Sequence, residues 1–232
     1  MRVRAILALL LTALASRAAG AAAVVDRSGF ASAALDALPR APLPEDHPCR
    51  LPDERFVPFH EKDGIVIRTA QEADGMTVVR SVVEIAASVE KTAGVLADIE
   101  GWVRWVKRLR AVERVPSEPP AFRLVVDAPW PFSDRDYGIA PAVDRDARGA
   151  PVVWWESAAE RIGPQRRGLV RVTRIRGGFT LEPGTAAGST RVVYSDVAVL
   201  GGRLPRWAVR ESYRRGPVGI LGSLRRLLAQ PM

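Results

Sequence analysis

From residue 112 to residue 200 the chain reads as strand after strand, with no helical period in between, and this limits the possible folds more than any other feature. Candidate strands lie at 112–115, 122–126, 135–140, 152–157, 169–175, 178–182 and 190–200. They are rich in Val, Ile and aromatic residues, and corners such as Arg148-Gly149-Ala150-Pro151 and Glu182-Pro183-Gly184 separate them. Parallel neighbours need a crossover, usually a helix, so an uninterrupted run of strands predicts an antiparallel meander. The side chains alternate. Phe122, Leu124 and Val126 share one face, with Arg123 and Asp127 on the other. Val153 and Trp155 oppose Glu156, while Val192, Tyr194 and Asp196 share a face. Each strand can therefore line a concave interior with one side and meet water with the other.

The flanks complete the plan. Asp63-Gly64 and Asp74-Gly75 are turn signals around β-rich runs at 65–67 and 77–85, which predict a hairpin. Ser88 is placed to cap a helix carrying Val89, Val95 and Leu96. Trp102, Trp105, Val106 and Leu109 fall at i, i+3, i+4 and i+7, the core face of a second helical run. The last element spans 205–228, with Pro205 suited to a first helical turn. Val209, Ser212, Gly216, Ile220 and Leu224 make one face of it, and Arg203, Arg206, Arg210 and Arg214 line another. Gly216-Pro217 removes a backbone bond and predicts a kink midway. The expected class is α+β: a helix-grip fold, in which a curved antiparallel sheet wraps around a long C-terminal helix.

The stretch Ala128-Pro129-Trp130-Pro131-Phe132-Ser133-Asp134-Arg135-Asp136-Tyr137 opens one of these strands. Its prolines fix φ and remove two donors, so 129–131 is a stiff approach. Alternation then puts Arg135 on the face opposite both acids. A cation aimed into an apolar interior must be paired or meet a ligand. Residues 130–137 also resemble the Trp-Pro-(apolar)-Ser-x-Arg-Asp-(aromatic) signature of START domains, a lipid-transfer family. Gly201-Gly202-Arg203-Leu204-Pro205-Arg206-Trp207 is similar to the turn before that family's last helix, and Arg215-Gly216-Pro217 through Leu224-Arg225 resembles the helix's closing part. The resemblance runs from about Phe56 to Leu228. It implies binding of a lipid or other hydrophobic molecule, with the terminal helix gating the entrance. By position, Phe122 and Pro141 stand where some sterol-binding members carry an acid and a base, so the polar contact here must differ.

The N-terminus has its own composition. Arg2 and Arg4 precede an apolar run from Ala5 to Ala15, followed by small residues from Ala18 to Ala23. This predicts a secretory signal peptide over 1–23, too short to span a bilayer, and an exported, periplasmic protein. Residues 24–54 are rich in Ala and Pro, with five prolines between Pro39 and Pro52, and read as an extended linker before a domain at 55–230. The formal charge is +8; without Arg2, Arg4 and Arg17, 31 bases remain against 26 acids, a net of +5. That excess suits transient contact with an anionic membrane surface as well as nucleic acid, and its dispersal among acids reads as a solvated surface; export and the lack of an aromatic-basic reading surface oppose nucleic acid. Cys49 is the single cysteine, so no internal disulfide can form, and with His47 it is too few ligands for a metal site. A monomer is expected.

No catalytic motif appears. The two histidines, His47 and His60, lie outside any nucleophile motif, and there is no Walker loop, dinucleotide fingerprint or His-Glu-x-x-His. The sequence therefore predicts a carrier without covalent chemistry, cofactor or metal. The predicted ligand contacts are Phe122, Leu124, Arg135, Trp155, Tyr194, Ser212, Ile220 and Leu224. Two readings stay open for Arg135: a ligand contact, or an ion pair with Asp134, Asp136 or Glu156. Tyr194 is either a site residue or a core tyrosine. The alternatives are an enzyme resembling aromatic polyketide cyclases and a membrane-surface module using the arginine face of the last helix.

Overall fold

The computed structural model describes residues 33–230; the proposed signal peptide lies outside them. The strands are β1 (Val57–Lys62), β2 (Ile65–Gln71), β3 (Thr77–Ile85), β4 (Leu109–Val115), β5 (Ala121–Val126), β6 (Asp134–Arg145), β7 (Pro151–Ser157), β8 (Leu169–Val172), β9 (Arg174–Pro183) and β10 (Thr190–Val199). The helices are α1 (Val89–Ala97) and α2 (Arg206–Leu228). The strands form one sheet in the order β1-β2-β3-β10-β9-β7-β6-β5-β4. All neighbours along that path are antiparallel. The curved sheet and its C-terminal helix are the helix-grip, α+β arrangement.

Local chemistry explains the element ends. Asp63 and Gly64 both take positive φ, as a two-residue hairpin turn between twisted strands requires. The Ser88 hydroxyl accepts from the Lys91 amide at 3.2 Å and caps α1. The tryptophan-rich run departs from the expected helix. It forms a 3₁₀ turn at Glu100–Arg104, Arg108 takes positive φ, and Leu109 opens β4 opposite Val126. Trp102 and Leu109 are nevertheless buried, and Trp105 and Val106 pack against the same core. Periodicity located the apolar face there but not the backbone.

The expected strand at 169–175 is two strands. β8 pairs in parallel with β6, Asp134 opposite Leu169, and the chain then passes into β9. Both β9 and β6 run antiparallel to β7, so a strand leading into β9 must run parallel to β6. It occupies the flank of β6 beyond the last β7 pair, Ile139 with Ser157. The crossing between β7 and β8 covers the outer face, where Arg123 donates to the Ile162 and Pro164 carbonyls. That face of β5 does not meet water as alternation alone implied.

Residues 38–54 also differ from the expected linker. The prolines keep this segment out of a regular ladder, but it lies as an ordered strap across the outer face of the sheet. The Val143 amide donates to the Pro39 carbonyl at 2.9 Å, and the Leu43 amide to Asp144 Oδ2 at 2.7 Å. Leu43 packs with Ala142, Val152 and Trp154, and Phe56 with Ala70, Val78 and Val197. Arg80, on β3, holds the strap down. It donates to the Pro48 and Leu51 carbonyls, Asp53 and Ser195 Oγ, and its guanidinium stacks 4.0 Å from the Phe56 ring centroid.

His47 of the strap is fully buried. Its Nδ1 accepts from the Cys49 amide at 3.2 Å, which leaves the proton on Nε2, 3.4 Å from the Trp155 carbonyl. Burial pushes its pKa down to about 4. The neutral form is thus favoured in the folded chain, and the associated stability is present above the unfolded pKa of about 6.5. It is lost as pH falls from there through 4, amounting to about 3 kcal/mol. Urea unfolding at pH 7 and pH 4.5 should show this loss in the native chain and a much smaller one in His47→Gln. Equal losses in both would remove the assignment.

Candidate functional site

The inner face of the sheet is built by alternation. Ile65 and Ile67 on β2, Val79, Ser81 and Val83 on β3, and Val192, Tyr194 and Asp196 on β10 point inward. So do Phe179 on β9, Val153 and Trp155 on β7, Tyr137 and Ile139 on β6, and Phe122 and Leu124 on β5. The space between this face and α2 has two unlike halves.

One half is filled by the protein itself. Phe179 sits among Trp102, Trp155 and Tyr194, with ring centroids 6.2, 5.6 and 5.0 Å away. The carboxyl half of α2 joins the same core, over β2 and β3: Pro217, Leu221, Gly222, Ser223, Leu224 and Leu228 are buried. The buried stripe thus runs through Leu221, Leu224 and Leu228, while the expected Gly216 is exposed and Ile220 half-buried. The helix is continuous through Pro217.

The other half is loosely packed. No residue of α2 before Pro217 is buried. On the inner face Thr69, Val126, Tyr137, Ile175, Asp196 and Ala198 are half-buried, with Val126, Tyr137 and Ile175 at the margin of the main core. Two surface clefts lie elsewhere. One, of about 330 Å³, is at the β1–β2 edge, and one of about 620 Å³ lies between α1 and the β6–β7 turn.

The predicted contacts divide between the halves. Phe122, Leu124, Trp155 and Leu224 are buried in the core, and Tyr194 lies in it with its ring 6.3 Å from Trp155. Ile220 and Ser212 are half-buried on α2, the Ser212 hydroxyl donating to the Val209 carbonyl at 2.6 Å. Arg135 points inward as alternation required. Asp136, on the opposite face, pairs with Arg171 at 2.7 Å, and Asp134 with Arg110 at 2.8 Å. Arg135 is 7% exposed and makes one hydrogen bond, to the Ser133 carbonyl. Among the described residues no carboxylate lies within ion-pair distance of it, which removes the ion-pair reading.

Asp196 is the second unpaired charge-bearing group on the inner face. Burial raises its carboxyl pKa to about 7, partly offset by the Tyr194 hydroxyl beside it. Burial likewise raises the phenols of Tyr137 and Tyr194, and the nearby Asp196 charge adds to both shifts. Arg135 acts in the opposite direction on Tyr137. Ser81 and Tyr137 escaped the sequence reading. Ser81 was visible as a lone hydroxyl within the Val-rich alternation of β3, but nothing local marked it as inward and unpartnered.

A curved antiparallel sheet gripping a C-terminal helix, with a few polar groups among the apolar side chains of its inner face, defines the helix-grip class of domains. A START domain family model matches residues 56–230, and the chain belongs to that family. A crystal structure of a STAR-related lipid transfer protein from Xanthomonas axonopodis is similar at 27% identity, covering 76% of this chain and 99% of that one, with a TM-score of 0.66. Human StAR-related lipid transfer protein 5 shares the fold at 17% identity, over 87% of this chain and 94% of that one, with a TM-score of 0.69. Among curated proteins, no sequence matches it.

Proposed function

We propose that the chain holds a lipid or other hydrophobic molecule between its sheet and the amino half of α2, and carries it between membranes without covalent chemistry. The observation that carries this reading is the contrast within one helix. Its last three turns are anchored in the core, while the residues before Pro217 leave none of their number buried. A helix packed this way can move at one end at little cost, since local opening follows local contact density. Transfer from bilayer to protein is apolar to apolar, so a guest can be both taken up and released. Native mass spectrometry after incubation with mixed-lipid vesicles should show a one-to-one adduct. A chain that stays empty with every lipid class would end this reading.

The surface beside that end of the helix fits a bilayer. Trp130 is 93% exposed and Trp207 66%, with Phe132 6.0 Å from the Trp207 ring. Arg203 and Arg206 flank them, are exposed, and form no ion pair among the described residues. Aromatic residues with an apolar body and a polar edge prefer the membrane interface, and neighbouring cations add attraction to anionic lipid. Flotation with anionic vesicles should show membrane binding weakened about tenfold or more by Trp130→Ala combined with Trp207→Ala, and weakened by salt. Unchanged binding would exclude this face. The basic-then-apolar N-terminus supports export as the setting for such transfer.

A further inference from the structure

Three buried polar atoms on the inner face have no hydrogen-bond partner: Ser81 Oγ, Trp155 Nε1 and Asp196 Oδ1. The strand register gathers them. Ser81 is opposite Tyr194 on one side of β10, while Asp196 and Trp155 are both opposite Gly177. A Cβ built on Gly177 would lie 2.9 Å from both Asp196 Oδ1 and Trp155 Cζ2, so the carboxyl and the indole meet over that glycine. Buried groups of this kind are nearly always satisfied, so three orphans in one place mark a site whose partner is a bound molecule. Of the three residues Asp196 alone is half-buried, while Ser81 and Trp155 are buried on the inner face.

We propose that Ser81, Trp155 and Asp196 form a seat for the hydroxyl group of an otherwise apolar guest. The inference rests on the ligand-binding reading above and names the chemical class of the ligand. The indole can only donate, the carboxylate can only accept, and the serine does either. One hydroxyl serves all three: its oxygen accepts from Trp155 Nε1–H and from the Ser81 hydroxyl, while its own proton goes to Asp196 Oδ1. If the carboxyl is protonated, it donates to the same oxygen. A carboxylate or phosphate guest would meet Asp196 with no cation bound to it. An ammonium would satisfy Asp196 but turn its N–H groups toward the indole N–H. Arg135 has no contact with Asp196 and is no part of the seat.

The test uses the full chain and four probes that share a sixteen-carbon chain: 1-hexadecanol, its methyl ether, hexadecane and hexadecanoate, with binding followed by native mass spectrometry. The native chain should bind the alcohol about tenfold more tightly than the ether or the alkane, the ratio expected for one buried hydroxyl satisfied on both sides. Trp155→Phe and Asp196→Leu should abolish that ratio while still binding the alkane. Asp196→Asn, which keeps the acceptor oxygen, should retain most of it and guards against a folding defect in the leucine variant. Equal binding of alcohol, ether and alkane, or tighter binding of the carboxylate, overturns the seat and leaves the carrier reading in place. Failure of all four probes to bind overturns both.

Discussion

Asp136→Ala should destabilise the chain by about 3–5 kcal/mol, because it strands a buried cation. The Asp136 side chain has no exposure, and Arg171, 12% exposed, meets both its oxygens, from Nε at 3.0 Å and Nη2 at 2.7 Å. The same guanidinium donates to the carbonyls of Ala159 and Gly163 and so pins the β7–β8 crossing. Without the carboxylate it keeps those two carbonyls but has no counter-ion. Urea unfolding measures the loss directly. Combining the change with Arg171→Met should recover part of it, since removing both charges costs less than leaving one. A single-variant loss under about 1 kcal/mol would mean that the pair is not worth what its burial implies.

Phe179→Ala should cost about 3–5 kcal/mol, by loss of buried surface and by the cavity left behind. The ring is 2% exposed and lies within 5.0–6.2 Å of three other aromatic rings, none of which can collapse into the gap without leaving its own contacts. Val126→Ala, in the loosely packed half, should cost much less, because the valine is only partly enclosed. Comparable losses at the two positions would contradict the division of the interior into a filled and an open half.

Much of the architecture was legible in advance because it depends on local periodicity. Period-two alternation from Phe122 to Val199 put Arg135, Trp155, Tyr194 and Asp196 on the inner face, and Ser88 and Pro205 marked where helices begin. What could not be read was set by partners distant in sequence. Nothing in Leu169 to Ile175 shows that its first residues pair in parallel with β6, since that follows from where β7 ends. Five prolines made residues 39–52 look like a tether, when Leu43 and His47 are buried by strands that arrive later in the chain. The candidate site was half visible. Arg135 declared itself as an inward cation, but its lack of a counter-ion depends on Asp134 and Asp136 being claimed by Arg110 and Arg171.

The strap bears on how large a guest the proposed carrier could take. Arg80 ties four groups together behind the sheet, and Leu43 and Phe56 plug the back surface on either side of it. A wall braced from behind cannot flatten to make room. Any swelling needed to admit a bulky molecule must then be taken up by the one side that is not braced, so the upper limit on cargo size is set by how far the first half of α2 can swing.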